Sequence, residues 1–521
     1  MALRPWLLGA VLATTSLVAA DATATTVTAT STKHAQKKKP KPGKTPKKPH
    51  GDRPLPVPPA PPKPKVEATP RQVRALPITV TRLLLDNGLR VVLSPDPRVP
   101  VVSVIVAYDA GSRDEDRGAT GTALVASRLL FQGSANVLRG EHERLVWGRG
   151  GEIVRANEVD RTIVGGIAPS SELPLLLWLE ADRMKSLTVT QDALDTVKKA
   201  QLAARAQELA APLAAGRERL RELVFQGSFA LEHDPRGAIA DLGALRLDPV
   251  KAFCETRLSA PNAVVAIAGD FDVDHATQLV HRFFDTAKRP ERAESKPPAP
   301  VPEQTSQRTA VLEDAHTRAP SVLFGWAIPA AGTEDHDALS AAVAILSGGP
   351  ASRLGQRLLL DKPLALAVRG RTEGLRGMDL LSIEVDVESD AARLDVLRAV
   401  EAELDALARS GPTDAELDAY RAGLEASAET AMGRADERAL RLAEVELSLG
   451  DARLLATELP RRAGVTREKI RAAVTRYLVP ARRTLVEVLP PRDASDPPKK
   501  PPPPPSAPPP PPPRHPPRHK R

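Results

Sequence analysis

Histidine is the side chain best suited to bind a catalytic metal, and its spacing in this chain offers little metal chemistry. The sequence has ten histidines, and none of them forms an H-x-x-H or H-x-x-E-H motif. One H-x-x-x-H pair, His515 and His519, spans two prolines, so no α-helix can bring both rings together. His142 lies between two glutamates and is interpreted as a solvated residue at a helix start, because adjacent helical residues point in different directions.

The stretch from residue 111 to residue 134 carries a more specific signal. Residues 111–115 read Gly-Ser-Arg-Asp-Glu, residues 120–123 read Thr-Gly-Thr-Ala, and residues 131–134 read Phe-Gln-Gly-Ser. This pattern resembles the opening of the pitrilysin/insulinase, or M16-like, family of zinc peptidases. In that family a Gly-Ser-Arg-x-Glu turn runs into Thr-Gly-x-Ala, then the inverted zinc motif His-x-x-Glu-His, then Phe-x-Gly-Thr.

The positions that would carry the chemistry are substituted. In the inverted motif two histidines at i and i+4 bind zinc, and the glutamate acts on the bound water. The corresponding residues here are Leu124, Ser127 and Arg128, and the third ligand, a glutamate on a later helix, falls on Ala204. Leucine and alanine offer no lone pair, arginine is permanently cationic, and serine needs an activating partner to act as a base. The resemblance therefore implies a scaffold without catalytic residues, metal ligands or a zinc cofactor.

The resemblance continues through the rest of the body. It includes residues 233–237, a Pro-x-Asn turn followed by a Gly-Asp turn within residues 253–271, and a Gly-Gly-x-x-Ser-Arg-Leu element within residues 346–358. Ser352 and Arg353 belong to this Gly-Gly-x-x-Ser-Arg-Leu element, and Arg369 is a partial match to the Arg/Tyr pair that helps stabilise the oxyanion in the second lobe of the family. Leu366 replaces the expected tyrosine, so Arg369 is interpreted mainly as an ordinary strand residue.

An edge strand that pairs with substrate backbone in the family is expected at Gly151, Glu152, Ile153, Val154, Arg155 and Ala156. Val154 stands where the family has a substrate-facing asparagine. Strand addition relies on backbone hydrogen bonds and needs no particular side chain. Peptide binding at this strand is therefore compatible with the loss of catalysis.

Composition separates a folded body from its two ends. Residues 1–24 have a positive start, an apolar run and small residues, which is typical of a secretory signal peptide. Residues 25–75 are rich in Thr and Ala and then in Lys and Pro, and residues 489–521 are basic and rich in proline. Neither segment has enough apolar surface to form a core, so both are expected to be disordered. The lone Cys254 has a helical context that predicts a buried, inert thiol.

The positive net charge belongs to these ends. Residues 33–65 carry a net charge of +10 and residues 489–521 carry +5, which leaves about −7 for the body from 66 to 488. Basic ends on an acidic body, with few aromatic residues, argue against nucleic-acid recognition. Two interpretations of the ends stay open: solvated linkers, and a spacer that adheres electrostatically to an anionic cell envelope.

Periodicity and turn signals predict an α+β fold of two homologous lobes. Residues 83–93 read as a hairpin with an Asn-Gly turn, and the strand at 103–108 resembles the strand at 321–326. Residues 193–225 read as helix broken near Pro212. Each lobe is expected to be a mainly antiparallel sheet packed with helices, in the manner the family resemblance implies (LuxS/metallohydrolase-like). The predicted lobes span 76–287 and 306–488, joined by a linker at 288–305.

These observations favour an exported protein, periplasmic, envelope-associated or secreted, that has lost the zinc site. It would act as a non-catalytic partner subunit or a peptide-binding pseudopeptidase. The expected partner is a zinc-competent homologous subunit or a second copy, with no transmembrane segment in the mature chain. Two alternatives stay open: a divergent zinc metalloendopeptidase with relocated ligands, and an envelope-tethered binding module.

Overall fold

The computed structural model describes residues 73–287 and 300–491. The predicted signal peptide at 1–24 lies outside the described residues. So do most of the segments at 25–75, 288–305 and 489–521. The described chain contains two β-sheets with helices packed on both faces.

The first sheet has six strands in the order β1-β2-β6-β3-β5-β4. Most neighbours are antiparallel, and β2 and β6 are parallel. The central strands are rich in Val, Ile and Ala and are buried on both faces, which explains their nearly unbroken apolar sequences. The strands are β1 (Thr81–Leu84), β2 (Arg90–Pro95), β3 (Val101–Tyr108), β4 (Glu152–Asn157), β5 (Thr162–Pro169) and β6 (Ala263–Gly269).

The second sheet has five strands in the order β7-β11-β8-β10-β9. Its one parallel pair is β7 with β11, and its other pairs are antiparallel. The strands are β7 (Arg308–Glu313), β8 (Ser321–Pro329), β9 (Ala365–Thr372), β10 (Met378–Val387) and β11 (Thr484–Leu489).

The two sheets share one topology. Strands β2, β6, β3, β5 and β4 of the first sheet correspond in order and direction to β7, β11, β8, β10 and β9 of the second. The last strand of each half pairs in parallel with an early strand of the same half: β6 pairs with β2, and β11 pairs with β7. The α+β fold of two related lobes with mainly antiparallel sheets is therefore confirmed.

Helices follow the strands in both halves. The first half contains α1 (Thr122–Leu129), α2 (Glu141–Trp147), α3 (Leu173–Ser186), α4 (Gln191–Leu209), α5 (Ala214–Val224), α6 (Phe229–Glu232), α7 (Ile239–Ala244), α8 (Leu247–Arg257) and α9 (Val273–Phe284). The second contains α10 (Glu334–Ser347), α11 (Arg353–Gly355), α12 (Arg393–Ser410), α13 (Asp414–Gly433), α14 (Ala435–Leu449), α15 (Leu455–Ala463) and α16 (Arg467–Tyr477). Within the described ranges no helix combines the length and the apolar character that a membrane crossing requires.

Each sheet has one face covered by a helix from the other half. Helix α14 packs on β3 and β6 of the first sheet, and α5 packs on β8 and β11 of the second. The contacts are close because small residues lie in them: a Cβ on Gly325 of β8 would come within 2.9 Å of Leu220 of α5. On the first sheet the fully buried Ala439 and Ala443 of α14 have the same effect. The exchange of helices makes the two halves one packed unit.

Charged side chains reinforce this exchange. Arg376, in the turn between β9 and β10, reaches Asp109 of the first half at 2.5 Å. Arg161 of the first half contacts Glu444 of α14 at 2.9 Å. Arg217 of α5 forms a two-pronged contact with Glu384 of β10 at 3.0 and 2.9 Å. The carboxylates of these pairs are buried, and pairing avoids the cost of an isolated buried charge.

Candidate functional site

The loop before α1 is held by backbone contacts that permit little variation. Gly111 lies against the loop between β4 and β5, where an added Cβ would come within 2.4 Å of the carbonyl oxygen of Val159. The guanidinium of Arg113 forms a buried ion pair with Asp160. The Gly-Ser-Arg part of the sequence pattern therefore fixes the path of the chain into α1.

Glu115 closes the N-terminus of α1. Its carboxylate accepts hydrogen bonds from the backbone amides of Gly121 and Ala123, both at 2.8 Å, and lies 3.2 Å from Nε2 of His233. The first amides of a helix have no partner within it, and a carboxylate there also interacts favourably with the helix dipole. Burial raises the pKa of Glu115 against the opposing effect of His233 and the two amides.

His233 and a second carboxylate complete this arrangement. Burial alone lowers the pKa of His233, but its hydrogen bonds to Glu115 and to the carbonyl of Phe229 outweigh that effect and raise it. The hydroxyl of Thr120 donates to Asp241 of α7 at 2.6 Å and accepts from the amide of Ala238 at 2.9 Å. We call Glu115, Thr120, His233 and Asp241 the α1 cap.

The body of α1 carries the substituted zinc positions. Leu124 and Ser127 are buried, and the hydroxyl of Ser127 donates to the carbonyl oxygen of Leu124 at 2.7 Å within the helix itself. Arg128 follows Leu124 by one helical turn and is half-buried. Burial lowers the pKa of Arg128 and nearby Arg155 lowers it further, while Glu208 acts in the opposite direction.

Helix α4 packs against α1, as expected for the helix that carries the third ligand. Ala204 is half-buried, and Lys199, where the family resemblance implies a further acidic residue, is exposed. Glu208 lies one turn beyond Ala204, but its carboxylate is 3.6 Å from both Arg205 and Arg236. These ion pairs direct Glu208 toward the basic side chains and not toward a metal.

A zinc ion does not fit these residues. Leu124, Arg128 and Ala204 supply no donor atom, and the hydroxyl of Ser127 is engaged with its own helix. A guanidinium at the second ligand position would also repel a divalent cation. In the part of the chain that the structure describes, no group of three or more His, Cys, Asp or Glu side chains is arranged to hold a metal.

His142 does not lie in solvent, so the prediction of a solvated histidine was wrong. It is 5% exposed, and its ring meets Phe131 edge-on with centroids 5.0 Å apart. Burial, with the charges of Arg183 and Arg155, lowers the pKa of His142 to about 2, so its ring is neutral. Adjacent glutamates suggested a solvated position, but α2 turns this one residue toward the core.

The predicted peptide-binding residues lie at one border of the first sheet. Glu152, Ile153, Val154, Arg155 and Ala156 belong to β4, the terminal strand in the sheet order, and Gly151 comes just before it. An added Cβ on Gly151 would approach Ile167 and Val146 within 2.8 Å, so glycine is required there. Val154 and Ala156 face the α14 side of the sheet, and Ile153 faces the α1 side. Peptide binding at β4 itself stays a prediction.

Arg155 links this edge to α1. Its guanidinium lies 5.0 Å from the centroid of the Phe131 ring and 3.2 Å from a carboxylate oxygen of Glu143 in α2. Arg183 packs on the same ring at 4.6 Å. Three arginines therefore lie about the end of α1 and the middle of β4: Arg155 and Arg183 are paired with Glu143 and Glu180, whereas Arg128 forms no ion pair within the described residues.

The second-half residues make contacts within their own lobe. The hydroxyl of Ser352 accepts the amide of Gly355 at 3.2 Å and so caps α11, and Arg353 binds Glu416 through two nitrogens at 2.6 and 2.8 Å. Arg369 lies on the edge strand β9 and pairs with Asp386 at 2.9 Å. These contacts all lie within the second lobe, and a vestigial role for the three residues stays a prediction.

Comparison with known proteins agrees with this architecture. Residues 244–424 match the family model described as the peptidase M16 inactive domain. An uncharacterized zinc protease of Streptomyces coelicolor is 26% identical over 420 residues, which cover 80% of this chain and 90% of that protein. The fold matches a protease from Helicobacter pylori at a TM-score of 0.73 and 22% identity, over 79% of this chain and 100% of that one.

A further structural match is to a longer protein, of which this chain covers about half. The periplasmic protease PqqL from Escherichia coli has the same fold at a TM-score of 0.65 and 16% identity; the match covers 80% of this chain but 48% of PqqL. Two lobes of shared topology, with α1 at the place of the zinc-motif helix, form an M16-like fold. The predicted resemblance to the M16-like peptidases is therefore confirmed, and the curated relatives of this chain include proteins named zinc proteases.

Proposed function

We propose that this chain is an exported, non-catalytic M16-like protein that pairs with a zinc-competent homologous subunit and binds peptides at β4. The observation that carries the proposal is the composition of the α1 region. All of the ligand and base positions, Leu124, Ser127, Arg128 and Ala204, have lost their chemistry. The α1 cap that orients the same helix is complete.

The size of the chain supports a partnership. Its two lobes match 48% of PqqL, a single polypeptide, whereas they match 93% of the structure of the first half of PqqL. The chain thus has the extent of one half of such a protein. A second, homologous chain would supply the other half and, with it, a zinc site.

The β4 edge supports the peptide-binding role. A terminal strand leaves backbone N–H and C=O groups without a strand partner on its outer side, and an extended peptide can satisfy them. This interaction does not depend on zinc. Residues 1–24 and the periplasmic location of PqqL support export, and the basic segments 25–75 and 489–521 support contact with an anionic envelope.

Co-purification from the native host tests the partnership. The full-length chain, tagged at a described surface position, is expected to recover a homologous protein that carries His-x-x-Glu-His, at equal stoichiometry by mass spectrometry. A monomer in solution that recovers no homologue would contradict the proposal. A matched chain that lacks residues 25–75 and 489–521 should still recover the same subunit if the protein is a partner subunit. If the protein is an envelope-tethered module, the same deletion should abolish its localisation.

A further inference from the structure

Arg128 differs from its neighbours in having no partner. Within the described ranges its guanidinium forms no hydrogen bond and no ion pair of 4.0 Å or less. The side chain is half-buried, and its nitrogens are not among the fully enclosed polar atoms that lack a partner. The guanidinium is therefore held partly out of water, yet it can still be reached by a ligand.

Other arginines in comparable surroundings are paired. Arg205 contacts Glu218 at 2.6 Å, Arg353 contacts Glu416 at 2.6 Å, and Arg441 contacts Glu458 at 2.7 Å. A partly desolvated cation without a counter-charge lowers stability. Such a residue is typical of a binding site, where the counter-charge arrives with the ligand.

The surroundings of Arg128 favour a negative ligand. Arg155 of β4 brings a second guanidinium near Arg128; Phe131 and Glu143 hold it in place, and the ion pair with Glu143 balances part of its charge. The nearby His142 ring is neutral, and the carboxylate of Glu208 is already shared between Arg205 and Arg236. A carboxylate entering beside β4 would thus meet positive potential that the protein itself only partly balances.

We infer that Arg128, supported by Arg155, forms a subsite for a carboxylate of an extended peptide bound along β4. A guanidinium presents a planar set of donors that matches a carboxylate in a two-pronged hydrogen bond. The cation at the vacated metal position would thus serve binding and not hydrolysis. The inference rests on the proposed peptide-binding function and specifies which peptides are preferred.

Fluorescence anisotropy with matched peptides tests the subsite. Each peptide is prepared with an internal glutamate or glutamine, and with a free or an amidated C-terminus, so that the two sources of a carboxylate are separated. The full-length protein is expected to bind one carboxylate form about tenfold more tightly than its neutral counterpart, as for a hydrogen bond to a charged group. Added salt should reduce this preference.

Variants assign the effect to Arg128. Arg128→Gln should abolish the preference while the neutral peptide binds as before, and Arg128→Glu should favour a peptide with lysine at the same position. Arg398→Gln, at an exposed arginine of α12, is the control and should retain the preference. Circular dichroism establishes that each variant is folded.

Two negative results have different meanings. Equal binding of charged and neutral peptides, or a preference that survives Arg128→Gln, would overturn the subsite and leave peptide binding at β4 intact. Failure of every peptide to bind the wild-type protein would overturn the peptide-binding function and the subsite with it.

Discussion

The two ends of the zinc-motif helix differ in what their side chains contact. At the N-terminus of α1, Glu115 and Thr120 reach across to His233, Asp241 and backbone amides of other elements. One turn later, Ser127 bonds only to its own helix and Arg128 has no partner within the described residues. The N-terminal end of α1 is therefore held by hydrogen bonds to other elements, whereas the side chains of Ser127 and Arg128 make no such bonds in the described part of the chain.

The contrast separates residues that stabilise α1 from residues at the positions where the family binds its metal. The α1 cap satisfies buried amides, so its loss would destabilise the protein whether or not a metal is bound. The side chains at the aligned ligand and base positions, Leu124, Ser127, Arg128 and Ala204, make no hydrogen bond beyond their own helix within the described residues. Once zinc is lost, those residues can change to apolar or cationic side chains while the helix stays in place.

The largest effect should follow removal of the cap. Glu115→Ala leaves the amides of Gly121 and Ala123 and Nε2 of His233 without a partner, and should lower the free energy of unfolding by about 3 kcal/mol. Chemical denaturation measures this change. Asp192→Ala, at an exposed acid in the first turn of α4, should change it by less than about 0.5 kcal/mol. A similar small change for both variants would remove the distinction between the two ends.

Arg128→Met should have a smaller effect of the opposite sign. Methionine is of similar length and removes a partly desolvated, unpaired cation, so the free energy of unfolding should rise by about 1 kcal/mol. Thermal denaturation monitored by circular dichroism gives the shift. A loss of stability on this substitution would mean that Arg128 has a stabilising partner and would weaken the case for a free binding group.

The smallest effect should be a change in pH dependence. Because the pKa of His233 lies above its ordinary 6.5 in the fold, the native state holds the proton more tightly than the unfolded chain. This stabilisation is present below pH 6.5 and is lost as the pH rises through the native pKa. The raised pKa of Glu115 acts in the same direction. In His233→Gln the fall in stability above pH 6.5 should flatten, whereas His281→Gln, at an exposed position, should retain it.

Much of the fold was accessible from the sequence. The Asn-Gly hairpin appears as β1 and β2, the paired strands as β3 and β8, and the break near Pro212 as the gap between Leu209 and Ala214, with Leu213 in a left-handed conformation. Burial of Cys254 is also confirmed, and it raises the pKa of the thiol to about 12. These features depend on local turn chemistry and periodicity.

The exchange of α5 and α14 between sheets was not predicted. Periodicity identifies the apolar face of a helix, but it does not say which sheet that face covers. The α1 cap was missed for a related reason, since Glu115 and His233 are 118 positions apart. The sequence likewise does not show that Arg128 has no ion-pair partner among the described residues. This follows from the position of the Glu208 carboxylate, which lies 3.6 Å from both Arg205 and Arg236.

Zinc content tests the central claim most directly. The wild-type protein, purified without chelators and measured by inductively coupled plasma mass spectrometry, should contain far less than one zinc per chain. A variant carrying Leu124→His, Ser127→Glu, Arg128→His and Ala204→Glu should bind about one zinc, because the cap still orients α1. Stoichiometric, tightly bound zinc in the wild-type chain would contradict the account.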